Sequence, residues 1–326
     1  MKVVFLCLGP GEKMFPITQE KSLLKFLGKT LLEHQIEKAL ASGLDEFVLR
    51  GNEGNIQRLK EIAGKFPQAH IDLAIQMEPS RMADAVRSAE ELVAGEVIVV
   101  NPGDIFQESA CWGPLKYPWH ILDAVEYFLR QAPGGIASSA VISEKATVEG
   151  NVTVDENVRV LENAVIRGPC YIGKNSIIGN NVLIRDCSHI GADCVVGFST
   201  EIKHSYIGDE CWFHLNYIGD SIVADRCSFG AGTATANLRL DQDEVIIESE
   251  GKTLNTGLDK LGAIIGAGSK TGINVSIMPG VRIGPNSVVG PHVMLRRDLG
   301  PGRMILLDSD NRLIEREISQ GERQRR

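Results

Sequence analysis

Two cysteines at C-x-x-C spacing occur nowhere in this sequence, and the seven cysteines it has are an odd number. Neither a disulfide framework nor a four-cysteine zinc site fits that arrangement. Long apolar runs are missing as well, since none approaches the roughly 20 residues that cross a bilayer. The opening MKVVFLCLG meets Gly, Pro and charge too soon for a secretory leader, so the expectation is a cytoplasmic protein. Basic charge is in deficit, with 34 Lys and Arg against 42 Asp and Glu, a net charge of −8. That argues against broad electrostatic binding to nucleic acid or to anionic membrane and leaves small anionic ligands open. What the sequence does have is 43% hydrophobic residues over 326 positions, enough for a full core and room for two domains.

From Ile142 onward every sixth residue is aliphatic: Val148, Val154, Val160, Ile166, Ile172, Ile178, Ile184, Ile190, Val196 and Ile202. A second train in another phase runs Val223, Phe229, Thr235, then Ile265, Thr271, Ile277, Ile283, Val289 and Leu295. A hexapeptide period marks a parallel β-helix whose coils have three short faces, with the first residue of each hexad turned inward. Cys170, Cys194, Cys211 and Cys227 each lie four residues after an inward position, so they read as small buried hydrophobes. Between Asn237 and Leu261 the hexads stop, and Val245–Ile247 with Glu250–Lys252 reads as a hairpin thrown out at 239–261 while the phase continues beneath. The β-helix is assigned to 136–300. A short irregular tail at 301–326 is expected to close its end.

The first hundred residues alternate differently. KVVFLCLG, EFVLRG, DLAIQM and EVIVVNPGD read as strands, and TLLEHQIEKALASG, NIQRLKEIAGKF and ADAVRSAEELV as helices. That alternation predicts an α/β domain with a mostly parallel sheet over 1–110. YPWHILDAVEYFLRQ supplies a helix in a linker at 111–135.

Leu8-Gly9-Pro10-Gly11-Glu12-Lys13-Met14-Phe15-Pro16, followed by Lys21-Ser22, resembles the strand-loop signature of the sugar-1-phosphate nucleotidyltransferases in altered form. Gly103-Asp104 matches that family's metal-binding aspartate, and EPSRMADAV its base-recognition segment. GAGTATANLRLD, the inserted hairpin and KTGINVSIMPGVRIGPNS together resemble the acetyltransferase half of the bifunctional glucosamine-1-phosphate acetyltransferase/N-acetylglucosamine-1-phosphate uridylyltransferases, in their archaeal layout. The resemblance implies a truncated Rossmann-like nucleotidyltransferase domain, followed by a left-handed parallel β-helix that assembles as a homotrimer. Glu12 puts a carboxylate in a loop that must cradle phosphates, and the family domain is roughly twice as long, so the first domain is expected to be degenerate and not to bind nucleoside triphosphate.

The phase breaks around WFHLNYIGDSIV, where HLNYIGD matches the segment carrying the family's catalytic histidine. The amine of an amino sugar is mostly ammonium at neutral pH and must lose a proton before it attacks a thioester, work suited to imidazole. His214 is therefore the expected base, aimed outward by a bulged corner. By the same resemblance Glu201 lies near the amine, and Ala231 offers a backbone N–H to the thioester oxygen. Arg185, Lys203 and Tyr217 bind the sugar phosphate, and Ser228 and Asn237 contact the sugar. Arg185 and Lys203 are eighteen residues apart, one coil, and so stack; two such cations repel unless an anion lies between them. Ser228 replaces a family asparagine, Leu238 a tyrosine, and the GDECWF turn is one residue short; Lys252 or Lys260 stands in for a missing phosphate lysine. His189, His204 and His292 read as surface or interface residues. A β-helical zinc site fits poorly, because His204 and His214 lie ten apart on a shifted phase.

The implied function is acetyl transfer from acetyl-CoA, as co-substrate, to the 2-amino group of glucosamine 1-phosphate or galactosamine 1-phosphate, with no metal in the acetyltransferase site. CoA is expected near Thr271 to Pro291. Two rival readings are a bifunctional enzyme that also makes a nucleotide sugar, and a non-enzymatic regulatory or scaffold subunit.

Overall fold

The computed structural model describes residues 2–7, 9, 11–76, 97–100, 115–249 and 251–319. The helix expected at ADAVRSAEELV, the EPSRMADAV segment and Gly103-Asp104 lie outside these residues, as do the side chain of Glu12 and the end of the tail. The chain divides into two units. One comprises 1–12, 19–25 and 29–116; the other comprises 13–18, 26–28 and 117–326.

The first unit is built on a four-stranded parallel sheet in the spatial order His70–Ile75, Glu46–Gly51, Lys2–Leu6, Val97–Val100. Parallel neighbours require crossovers, and helices Leu31–Ala41 and Ile56–Ala63 supply two of them. The first begins on a capping box: the Thr30 hydroxyl accepts from the Glu33 N–H, and the Glu33 carboxylate accepts from the Thr30 N–H. Val3, Phe5, Phe47, Leu49, Leu32, Ile36 and Leu59 form the core beneath them. No helix among the described residues is long and apolar enough to cross a membrane.

The second unit is a left-handed parallel β-helix. Its first face stacks eight strands from Gly135–Ile136 to Arg282–Ile283, and its third face eight from Thr147–Glu149 to Met294–Leu295. The second face runs from Val141–Ile142 to Val288–Val289 and is extended to ten strands by Arg303–Leu307 and Leu313–Glu317. The tail expected to be irregular is thus a regular antiparallel pair, tied by Arg303 to Glu315. The inward hexad residues stand in register, Val154 over Ile172, Ile190, Ile207, Val223, Ile265 and Ile283. All are essentially without solvent contact, and Cys170, Cys194, Cys211 and Cys227 lie among them. Burial pushes the Cys170 thiol up to about 12, which leaves it an unreactive hydrophobe. Phe213 and Phe229 stack inside the middle coils with centroids 4.8 Å apart.

The three faces are not equivalent. On the outside of the first face, Tyr171, His189 and Tyr206 stack in a column, each pair of centroids 5.0 Å apart. Helix His120–Gln131 packs over that column, and Phe26 touches both Phe128 and Tyr206. His189, expected at the surface or at an interface, is a buried stacking residue because its face is covered by helix His120–Gln131. A hairpin, Ile246–Ser249 with Lys252–Asn255, leaves the coil between Thr235 and Ile264.

Candidate functional site

The hexad rule fails at three of four consecutive steps. Ile202 to Ile207, Phe213 to Ile218, and Ile218 to Val223 are five-residue steps, whereas Ile207 to Phe213 keeps the normal six, and all five residues stay inside the core. The corner that carries His214 is therefore shortened, not bulged. The shortening removes one residue from the loop between the second and third faces, and a buried side chain takes up the lost connectivity. The Asn216 carboxamide oxygen accepts from the His214 N–H at 2.8 Å, while its NH2 donates to Gly230 O at 2.8 Å and Thr233 O at 3.2 Å. Asn216 N–H donates to Thr200 Oγ1 at 3.3 Å. His214 itself is exposed, at the edge where the second face turns into the third. Asn216 was missed as a site residue. Its signal was a polar residue two positions before an inward one inside a five-residue step.

Along the same edge the coils place Leu215 beside Gly232, Ala231 beside Asn274, and Ile273 beside His292 through backbone hydrogen bonds. Ala231 thus sits in the next corner after His214, exposed in a turn whose Gly232 adopts φ +79°. Phe198, Leu215 and Ile273 stand exposed around this edge, with Trp212 just inside it on the second face.

Glu201 and Tyr217 pair in register on the outside of the third face, and Arg185, Lys203 and Gly219 pair in register two residues further on. The expected stacking of Arg185 over Lys203 therefore exists, at the roughly 4.8 Å strand spacing. The expected repulsion does not, because each cation has its own carboxylates. Arg185 donates to Glu201 Oε1 from Nε (2.9 Å) and Nη2 (2.7 Å), and from Nη1 to Asp186. Lys203 Nζ donates to both oxygens of Asp220, at 2.9 and 3.1 Å.

Asp220 is the hub of the edge between the third and first faces. Its side chain is only 4% exposed, and it accepts from Lys203, from Asn237 Nδ2, and from His204 Nδ1 at 2.8 Å. Burial alone would push this carboxyl up, but the donors from His204, Lys203 and Asn237 outweigh it and hold the group below the ordinary carboxylate range. Burial pushes the Tyr217 phenol up, with Lys203 pulling against it; its hydroxyl accepts from Asn237 Nδ2 at 3.3 Å. Of the two substitute lysines, Lys260 bridges to Leu238, next to Asn237, whereas Lys252 starts the second hairpin strand.

The structure thus brings Arg185, Glu201, Lys203, Tyr217 and Asn237 together, with His214 and Ala231 at the neighbouring edge. It does not bring Ser228 to them: Ser228 pairs with Trp212 and Lys270 on the second face. A groove of about 870 Å³ lined by Phe15, Arg226, Lys270, Pro285, Asn286 and Pro301 among others lies at the far edge of that face and does not include His214.

Two sequence families match the chain. One, described as nucleotidyl transferase, covers residues 2–162, and the other, bacterial transferase hexapeptide (six repeats), covers residues 262–297. The chain is 40% identical over 189 residues to the bifunctional protein GlmU of Methanococcus vannielii, covering 58% of this chain and 45% of that one. It is 33% identical over 259 residues to the bifunctional protein GlmU of Methanococcus aeolicus, 76% of this chain and 62% of that one. With the uncharacterized acetyltransferase YaiX of Escherichia coli O6:K15:H31 it shares 39% identity over 173 residues, 51% of this chain and 72% of that one. The fold and these matches define a hexapeptide-repeat transferase with a nucleotidyl-transferase-type domain in front of the β-helix. The chain spans about half the length of the first of these relatives. Its 39% identity to YaiX, whose length it covers to 72%, places it among the acetyltransferases, and it is similar to the bifunctional sugar-1-phosphate nucleotidylyltransferase/acetyltransferases over about half of their length.

Proposed function

We propose that this protein transfers the acetyl group of acetyl-CoA to the amine of a hexosamine 1-phosphate in the cytoplasm, and that its first domain no longer transfers nucleotides. The observation that carries this reading is the arrangement around one face: an exposed imidazole, His214, at one edge, and two in-register cations, Arg185 and Lys203, across it toward the other. An amino sugar lying across that face directs its amine to the imidazole and its phosphate to the cations. Glu201 and Tyr217, on the outside of the face between them, flank the sugar, with Asn237 at the phosphate end. His214 takes the proton as the amine attacks the thioester carbon, CoA leaves as the thiol, and Ala231 N–H faces the developing oxyanion from the next coil. The pantetheine arm follows the edge through Ile273 toward Pro291.

A homotrimer completes the site. The outer residues of adjacent faces of a prism diverge, so Ser228 cannot grip the same small ligand as Lys203 from within one chain. Exposed Phe198 (55%) and Trp212 (54%) beside the His214 edge are apolar surface that a neighbouring subunit would cover.

The test is acetyl-CoA consumption with and without glucosamine 1-phosphate or galactosamine 1-phosphate. His214→Ala should lower turnover about a hundredfold or more, the scale of a general base, and an unchanged rate removes His214 from the mechanism. Pyrophosphate release from Mg-UTP plus sugar phosphate would favour the bifunctional reading, and failure of every amine acceptor the scaffold reading.

A further inference from the structure

The edge that would receive the phosphate holds more carboxylate than cation. Arg185 is bonded to Glu201 and Asp186, and Lys203 to Asp220, so two cations face three carboxylates over successive coils. The covering helix adds another acid, Asp123. Burial pushes its carboxyl up, and it interacts with His120 and Glu126 as well as with His204. Tyr217, its phenol pushed up by burial, and the amide of Asn237 bring no charge. A phosphomonoester carries nearly two negative charges at neutral pH. Set against this edge as it stands, it meets a local excess of its own sign.

His204 can offset that excess. Its Nδ1 lies 2.8 Å from Asp220 Oδ1, and because Asp220 is held ionised, Nδ1 must carry the hydrogen. That leaves Nε2 as the atom that gains or loses a proton. The side chain is 29% exposed against 4% for Asp220, so a proton can arrive from solvent without breaking the Asp220 contact. Protonation turns two cations against three carboxylates into three against three, and adds a charged N–H donor beside Lys203.

We propose that His204 is a further phosphate-binding residue of this site, and that it takes up a proton at Nε2 when a phosphomonoester binds beside Arg185 and Lys203. This rests on the reading of that edge as the sugar-phosphate site. The step balances: one proton leaves buffer and becomes the Nε2–H of the imidazolium. It also separates His204 from His214, since one titrates on binding the phosphate and the other during acetyl transfer.

The experiment is calorimetric titration of the full-length protein with glucosamine 1-phosphate at pH 7.5, where the phosphate is already almost wholly dianionic, in buffers of different ionisation enthalpy. The dependence of the observed heat on buffer gives the number of protons taken up. Wild type should show net uptake, with affinity falling as pH rises above about 7. His204→Gln should bind about tenfold more weakly, the loss of one charged hydrogen bond, and show no uptake. His204→Arg, charged at every pH, should bind without uptake and without the pH dependence. Binding that Arg185→Ala abolishes but that His204→Gln leaves unchanged in strength and proton uptake overturns the role of His204 and spares the substrate reading. Absence of binding by wild type overturns the substrate reading, and this inference with it.

Discussion

Replacing Asn216 by Ala should disable the site from inside the core. The carboxamide makes three hydrogen bonds in a buried position, to His214 N–H, Gly230 O and Thr233 O. Removing it strands one backbone donor and two acceptors with no room for bulk water. At about 1 kcal/mol for each bond, the local cost is on the order of 3 kcal/mol. The bond to His214 N–H is also what holds a five-residue corner in shape, so the imidazole should shift. A displacement on the order of 1 Å at a reacting group costs about a hundredfold in rate. The expected result is a kcat down about a hundredfold, with the KM for the sugar phosphate changed little, because Arg185 and Lys203 lie on other corners. Val154→Ala, which truncates a buried residue of the early coils, supplies a control of comparable destabilisation that should leave kcat intact. Steady-state acetyl transfer and thermal denaturation of both variants decide the matter. A full kcat in a destabilised Asn216→Ala protein would refute the claim that this amide positions His214.

Asp220→Asn should be less stable than wild type at neutral pH and lose that deficit in acid. A carboxyl held below its unfolded value of about 3.9 contributes stability that is present above that pH and disappears as pH falls through the folded value. Urea midpoints measured from pH 7 downward should therefore converge, and a gap that stays constant into strong acid would contradict the hydrogen-bonding account of Asp220. Phe229→Ala should cost about 3–5 kcal/mol, since it opens a cavity under the buried Phe213 ring 4.8 Å away. In a solenoid that loss is felt mainly by neighbouring coils, so hydrogen exchange should rise around Phe213 and Thr271 and stay unchanged near Val154. Uniform loss of protection along the β-helix would argue against such local coupling.

The repeat was legible because one requirement, an apolar side chain turned inward, recurs at every corner and tolerates Ile, Val, Phe or Cys alike. Cys194 and Cys211 could be placed inside the coil from their offset alone, and they are there. A break in the repeat is harder to interpret, because a phase shift between Ile202 and Val223 is the same whether residues were lost before, at or after His214. The structure distributes the shift over three corners, and the buried amide that makes the His214 corner workable shares its type with surface asparagines such as Asn175. His189 shows a related limit: a period places a residue on an outer face but does not say which face helix His120–Gln131 will cover. The cations show the limit most clearly. Eighteen-residue spacing correctly stacked Arg185 on Lys203, but their partners come from off the repeat: Glu201 lies two positions before Lys203, and Asp220 one position past Gly219 in a coil that two short corners reduce to sixteen residues. A stack of bare cations would have needed an anion to hold it; a stack already neutralised by its own carboxylates needs a reason to accept one. The sequence pattern pointed to a phosphate by the first route. The folded chain pairs those cations with Glu201, Asp186 and Asp220, so a phosphate placed there must compete with carboxylates, and the proposed protonation of His204 is one way in which the chain could supply the charge for it.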